Sequence, residues 1–369
     1  MRLRELGLSI GSLPTGPLNA ITDVAGVRVG HTTLVDGDGP LRRGHGPVRT
    51  GVTMVLPHDG NVWTEPVYAG FHRFNGNGEL TGLHWVEEAG MLLSPVGLTN
   101  THSVGVVHDA LVALEVEELP EGKEAWALPV VGETWDGVLN DIDGFHVRAE
   151  HARSAYRSAT GGPVAEGGVG GGTGMICHDF KGGIGTSSRR VPESSGGFTV
   201  GVLVQANHGR RERFMVDGAP VGRLVPATAV PVPETAAPAG SGSIIGVVAT
   251  DAPLLPIQLR RLAQRATFGV ARTGGVGENS SGDLFLAFST GNRGMPPDHL
   301  GDRPPLTTEV RTLSNSYIDS LFDAVVEATE EAIVNAVVAA ETMTGANGVV
   351  AHGLDGPLLA DAVSRCRPR

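Results

Sequence analysis

The sequence predicts an α/β fold of stacked layers. Three observations predict it: short, almost wholly apolar runs bounded by glycine, proline or aspartate; two long segments with helical apolar spacing; and heavy use of glycine between them. The chain has 369 residues, 40% hydrophobic and 18% charged, a globular composition with length for a large core. A prior of roughly 150 residues per domain allows two or three domains, and one large layered domain equally. The 54 glycines are about twice ordinary usage. The apolar runs between them argue for tight turns and close backbone approaches rather than disorder.

The elements follow in chain order. Residues 51–56 (GVTMVL) read as a strand buried on both faces, because apolarity is nearly continuous. The glycine run at 161–174 (GGPVAEGGVGGGTG) contains no GxGxxG. Lys181 is followed by Gly182 rather than Ser or Thr, so there is no phosphate-binding P-loop either. The run reads as a tight backbone crossing. Residues 198–205 (FTVGVLVQ) are a second buried strand. Residues 225–242 (VPATAVPVPETAAPAGSG) carry proline and alanine without any period, which predicts an exposed connector. A third strand, 243–250 (SIIGVVAT), begins abruptly after it. A helix follows, with Asp251 as candidate N-cap and Pro253 and Pro256 allowed only in its opening turn. Leu259, Leu262, Ala263, Ala266 and Val270 recur at helical spacing, and Gly274 and Gly275 end it. Residues 283–290 (DLFLAFST) are a fourth strand. A last helix is predicted over 316–343, with a face of small and β-branched residues suited to a sheet and Gly345 as its stop.

Composition excludes several functions. The formal net charge of −12 does not fit a nucleic-acid binder, which usually has a basic face. Two distant cysteines, Cys177 and Cys366, imply neither a disulfide framework nor a zinc motif, so a reduced cytoplasmic protein is expected. The N-terminus lacks a continuous apolar core of the signal-peptide kind. No run of about 18 uncharged apolar residues predicts a membrane span. A GxSxG match at residues 7–11 has no room for the preceding strand that a nucleophile elbow needs. The thirteen histidines form no HExxH, and no metal site is expected.

Ser243 is the sharper candidate. It opens a buried strand directly after Gly240-Ser241-Gly242. A serine hydroxyl needs a base and an oxyanion site. Cutting the bond before Ser243 would free its own α-amine, whose pKa of about 7.7–8.0 suits base chemistry near neutrality. Gly242, lacking a Cβ, would let the hydroxyl approach the preceding carbonyl. On these residues alone, a Gly-Ser linker and a self-processing site both remain open.

The stretch from Ser243 to Gly274, SIIGVVATDAPLLPIQLRRLAQRATFGVARTG, resembles the start of the second subunit of the L-aminopeptidase D-Ala-esterase/amidase (DmpA) family, which includes the β-peptidyl aminopeptidases. The segments ITDVAGVRVGHTT, LTNTHSVGVV, PVVGETWDGVLND, GGGTGMICHDFKGGIGTSSR and FTVGVLVQANHG resemble the same family in the same order. The resemblance therefore covers nearly the whole chain. It implies a four-layer αββα sandwich like that of N-terminal nucleophile hydrolases. It implies one such domain over residues 1–369, self-cleaved into 1–242 and 243–369. It also implies homo-oligomers, often tetramers of αβ units, with no metal or organic cofactor. The activity implied is an aminopeptidase or amidase acting on short peptides, amides or esters with a free N-terminal amine.

Residue by residue, the match makes Ser243 the nucleophile and Asn207 the oxyanion donor. Ser281 and Asp283 become the Ser-Gly-acid unit supporting the nucleophile, and Glu133 the acid receiving the substrate ammonium. Trp135 and His146 complete the substrate-binding candidates; some members carry a tyrosine where His146 aligns. Two related self-cleaving classes, the nylon-type linear amide-oligomer hydrolases and the ornithine acetyltransferases, use threonine as nucleophile. Ser243 argues against both.

Overall fold

The structure, a computed structural model, describes residues 1–235, 242–296 and 305–366. In chain order the strands and helices are β1 (Arg28–Asp36), β2 (Val48–Leu56), β3 (Val67–Gly76), α1 (Leu83–Ala89), β4 (Met91–Leu92), β5 (Val96–Asn100), α2 (Val104–Glu118), β6 (Val130–Thr134), α3 (Ala149–Arg157), β7 (Ile176–Cys177), β8 (Phe180–Lys181), β9 (Gly183–Arg190), β10 (Thr199–Asn207), α4 (Val221–Leu224), β11 (Ser243–Thr250), α5 (Pro256–Arg272), β12 (Gly282–Ser289), α6 (Asp319–Val338), β13 (Met343–Thr344), β14 (Val350–Ala351) and α7 (Gly356–Ser364).

The strands form two mixed sheets, one of four strands ordered β1-β2-β5-β6 and one of six ordered β4-β3-β12-β11-β10-β9. Strands β5 and β6 pair in parallel, as do β11 and β12; the other ladders of the two sheets are antiparallel. Alternation along each strand sorts side chains into layers. On β11, Ile245 and Val247 meet Val55, Val96 and Leu98 of the smaller sheet. Ile244 and Val248 of the same strand face outward to Leu259, Leu262 and Ala263 of α5 and to Ala328 and Ala332 of α6. On the far side, Val52 and Met54 of β2 pack on Val107 and Leu111 of α2 and on Ala152 and Ala155 of α3. The result is helices, sheet, sheet, helices: the four layers expected.

Glycine sets how closely layers approach. A Cβ on Gly185 of β9 would lie 1.9 Å from the carbonyl oxygen of Ala332, so α6 rides on bare backbone. That contact uses the small face read from the sequence. The opposite character of α6 was not legible: Glu327, Glu330 and Glu331 are all buried. Arg189 of β9, wholly buried, donates from Nε to Glu327 at 3.0 Å and from an Nη to Glu331 at 2.6 Å. Arg4 joins Glu331 at 2.8 Å, and the backbone N–H groups of Ser12 and Leu13 donate to Glu327. The first residues of the chain are thus tied to α6.

Helix boundaries differ from expectation in two places. Asp251 does not cap α5; its carboxylate accepts the Thr199 N–H at 2.8 Å. The prolines push the helix start to Pro256, and Gln258 reaches back to the Leu255 N–H at 3.0 Å. The last helix stops at Val338, short of 343, because the chain turns there into β13. Of the connector, 236–241 lies outside the described residues. Its opening is anchored, since Val225 and Val230 are buried against the helical layer. No helix among the described residues is long and apolar enough to cross a membrane.

Candidate active site

Strand order places the site. Asn207 ends β10, Ser243 begins β11 opposite it, and Asp283 of β12 stands in parallel register with Ile244. Three neighbouring strands of the larger sheet therefore present chemistry at one edge. Gln205, two residues before Asn207, donates to the Thr99 carbonyl of β5 and to Thr134 Oγ1 of β6, each at 2.9 Å. This cross-sheet tie brings the ends of β5 and β6 to the same place.

Ser243 is buried, and its Oγ accepts the backbone N–H of Gly282 at 3.1 Å. Gly242 has φ of 141°, and a Cβ there would fall 1.9 Å from the Asn207 carbonyl oxygen; glycine alone fits before Ser243. The same position is 3.4 Å from Asn207 Nδ2, so the amide lies beside the Gly242–Ser243 bond. Asn207 is held at both ends: Nδ2 donates to the Trp135 carbonyl at 2.9 Å, and Oδ1 accepts the Ile176 N–H at 2.8 Å. An amide nitrogen carries two hydrogens, and the Trp135 contact engages one.

Ser281 Oγ donates to Asp283 Oδ1 at 2.6 Å. Burial raises the Asp283 carboxyl to about 6, against the lowering effect of the Ser281 and Ile244 hydrogen bonds; nearby Glu278 adds to the rise. Gly282, between them, lies so close to Gly78 that a Cβ on it would sit 2.5 Å from the Gly78 Cα.

Glu133 of β6 is next in this line, its Oε1 being 3.2 Å from where a Cβ on Gly78 would be. Oε1 accepts the Glu79 N–H at 2.9 Å, and Oε2 accepts the Thr101 hydroxyl. Burial pushes its pKa up; the Thr101 and Glu79 hydrogen bonds oppose that, the Glu79 charge adds to it, and His102 pulls down. A carboxylate has about four acceptor sites, so two bonds leave room for a cation. Trp135 turns its carbonyl toward the Asn207 amide, and the residue as a whole is 38% exposed. His146 is placed differently. Its Nε2 meets Asp141 Oδ2 at 2.9 Å, an oxygen that also accepts the N–H groups of Gly44 and Gly46. Among the described residues no hydrogen bond joins His146 to Ser243, Asn207 or Glu133.

The structure thus brings together Ser243, Asn207, Ser281, Asp283, Gly242 and Glu133. Sequence reasoning missed the groups that fix them: the Gly282 N–H, the Trp135 carbonyl, the Ile176 N–H and the Thr101 hydroxyl. It also missed Asp136, a fully buried carboxyl beside Trp135 that burial raises to about 7 and that accepts from Asn140 at 3.0 Å. Main-chain donors carry no side-chain signature. Thr101 and Asp136 fall inside segments already singled out, yet nothing in their spacing marks them.

Comparison with known proteins bears on this arrangement. Residues 19–351 match the model of peptidase family S58. The chain is 51% identical over 356 residues to the beta-peptidyl aminopeptidase BapA of Sphingosinicella microcystinivorans, covering 94% of this chain and 88% of that one. Among solved structures, a Burkholderia sp. beta-aminopeptidase superposes with a TM-score of 0.93 at 52% identity, over 100% of both chains. The L-aminopeptidase D-Ala-esterase/amidase of Ochrobactrum anthropi, described as a prototype for the serine aminopeptidases and a new variant among the Ntn hydrolase fold, superposes with a TM-score of 0.89 at 44% identity, over 99% of this chain and 98% of that one.

Proposed function

The chain belongs to peptidase family S58 and is a hydrolase of the aminopeptidase type, and from that premise we propose a self-processing serine aminopeptidase whose nucleophile is Ser243. The observation that carries this reading is the meeting, at one sheet edge, of the Ser243 hydroxyl, the Asn207 amide and a glycine that nothing larger could replace.

Processing comes first. The Ser243 hydroxyl attacks the Gly242 carbonyl while Asn207 Nδ2 receives the developing oxyanion; hydrolysis of the resulting ester leaves 1–242 and 243–369 as separate chains. The freed α-amine, with a pKa of about 7.7–8.0, then takes the proton of the Ser243 hydroxyl as it attacks substrate. An acyl-enzyme forms, the amine or alcohol leaves, and water releases the acid. The Ser281–Asp283 pair orients the nucleophile and moves its proton. Glu133 receives the substrate ammonium, a role supported by its buried, partly satisfied carboxylate.

Substrates in this reading are short peptides, amides or esters with a free N-terminal amine. The relatives named for β-amino substrates favour a β-amino acid as the residue released. The reading includes a homo-oligomer, often a tetramer in this family, and a cytoplasmic location; the latter is supported by two free cysteines, Cys177 and Cys366.

The test is direct. Purified protein runs as two chains on a denaturing gel, the smaller beginning Ser-Ile-Ile-Gly, and releases β-homoalanine p-nitroanilide faster than its L-alanine counterpart. Ser243→Ala leaves one inactive full-length chain. An active enzyme that stays a single chain sinks the mechanism; a cleaved enzyme preferring L-alanine overturns only the substrate choice.

A further inference from the structure

Behind Asn207 lies a second group of chemistry-bearing side chains that the acyl-transfer reading does not use. Cys177 ends β7, His178 and Asp179 make the turn into β8 with φ of 51° and 59°, and His208 follows Asn207 at the end of β10. One donor atom from each of Cys177, His178 and His208 lies within 4.8 Å of the other two, and all three residues are buried. Cys177 Sγ is 3.9 Å from His208 Nδ1, and the backbone N–H of His208 also points to that sulfur. The two imidazoles meet edge to face with centroids 5.1 Å apart. The Nε2 of each is buried without a hydrogen-bond partner, a state that buried polar atoms ordinarily avoid.

We propose that Cys177, His178 and His208 form a binding site for a borderline transition-metal cation of the Zn2+ class. A sulfur and two imidazole nitrogens are the donor set that such a cation selects, and one that Mg2+ and Ca2+ do not. Zinc–sulfur and zinc–nitrogen bonds of about 2.3 and 2.0–2.1 Å put tetrahedral donors roughly 3.5 Å apart, close to the Cys177–His208 spacing. Binding displaces the Cys177 thiol proton to solvent and leaves a bound thiolate beside two neutral imidazoles. The surrounding ionisable groups are mixed: Asp179 and Lys181 lie near Cys177, and Arg211 and Glu212 near His178.

The site contributes no group to acyl transfer. It staples the two stretches that hold the Asn207 amide, since Ile176 precedes Cys177 and Asn207 precedes His208. Because the donors are sealed from solvent, loading belongs to folding.

The test uses the tag-free protein expressed in medium supplemented with Zn2+ or Co2+, so that metal is present as the chain folds, and then dialysed. Elemental analysis is expected to find one metal ion per chain. The cobalt form is expected to display a sulfur-to-cobalt charge-transfer band in the near ultraviolet, and the metal to raise the melting temperature. Cys177→Ser and Cys177→Ala lose both the metal and the shift. Substoichiometric metal in the parent, a cobalt spectrum without the sulfur band, or metal retained in Cys177→Ala each overturns the proposal. The cobalt spectrum is read on the parent protein, so it decides the matter even if a variant fails to fold.

Discussion

Glu133 and Asp283 are both buried carboxyls, and the difference between their neighbours separates their roles. Glu133 accepts one backbone N–H and one hydroxyl, and in its proposed role the remaining acceptor sites would receive the substrate ammonium. Hydrogen bonds to charged groups are worth about 1.5–3 kcal/mol. Glu133→Gln is therefore expected to raise KM for amine-bearing substrates by roughly 10- to 100-fold, while self-cleavage, which involves no free amine, proceeds normally. Steady-state kinetics beside a denaturing gel reads both. Asp283, raised to about 6 from the usual 3.8, can take up a proton through the Ser281 hydroxyl only when ionised. Activity is expected to fall as pH drops through about 6, and Asp283→Asn to lose that limb along with much of kcat. Stability runs the other way. A carboxyl raised in the folded state stabilises fully below its unfolded pKa and loses that contribution as pH rises from about 4 to 6; melting temperatures of parent and Asp283→Asn across that window check the sign. Ser243, Asn207 and the Ser281–Asp283 pair were legible as side chains in recognisable segments. The Gly282 N–H and Trp135 carbonyl that aim them were not, because every residue has such groups and only the fold selects which ones count.

At the scale of elements, α6 and β9 hold the most polar part of the interior. Arg189 sits between Glu327 and Glu331 with no solvent contact. Removing one partner of a buried ionic group leaves the others uncompensated, at a cost of about 3–5 kcal/mol. Arg189→Ala is expected to lower the urea midpoint accordingly without moving KM, since the network lies on the helical side of the sheet. The sequence concealed this. Read by period, α6 shows its small face, and its glutamates look like ordinary surface charge. Strand β11 was legible to the residue because SIIGVVAT is apolar from a sharp start. Strands β5 (VGLTN) and β6 (VVGET) are five residues long and interrupted by glycine and threonine; that leaves too few positions for a period to declare itself, and only the ladder between them identifies them.

For the whole molecule the order of the larger sheet matters most. Its strands β4 and β3, then β12 and β11, then β10 and β9 belong in turn to the segment before Gly242, the segment after it, and the segment before it again. If the chain is cut at Ser243, the later piece stays clamped as the central pair of a sheet whose flanks both belong to the earlier piece. The two pieces are expected to co-elute in gel filtration without denaturant. After separation in urea, regain of activity is expected to depend on protein concentration, whereas refolding of uncut Ser243→Ala is not. Processing in this reading exchanges a first-order folding reaction for a second-order assembly. The mature protein's persistence then rests on how slowly it comes apart, a rate rather than an equilibrium. In that reading the precursor folds as a single molecule, and the cut that arms the nucleophile makes any return a meeting of two.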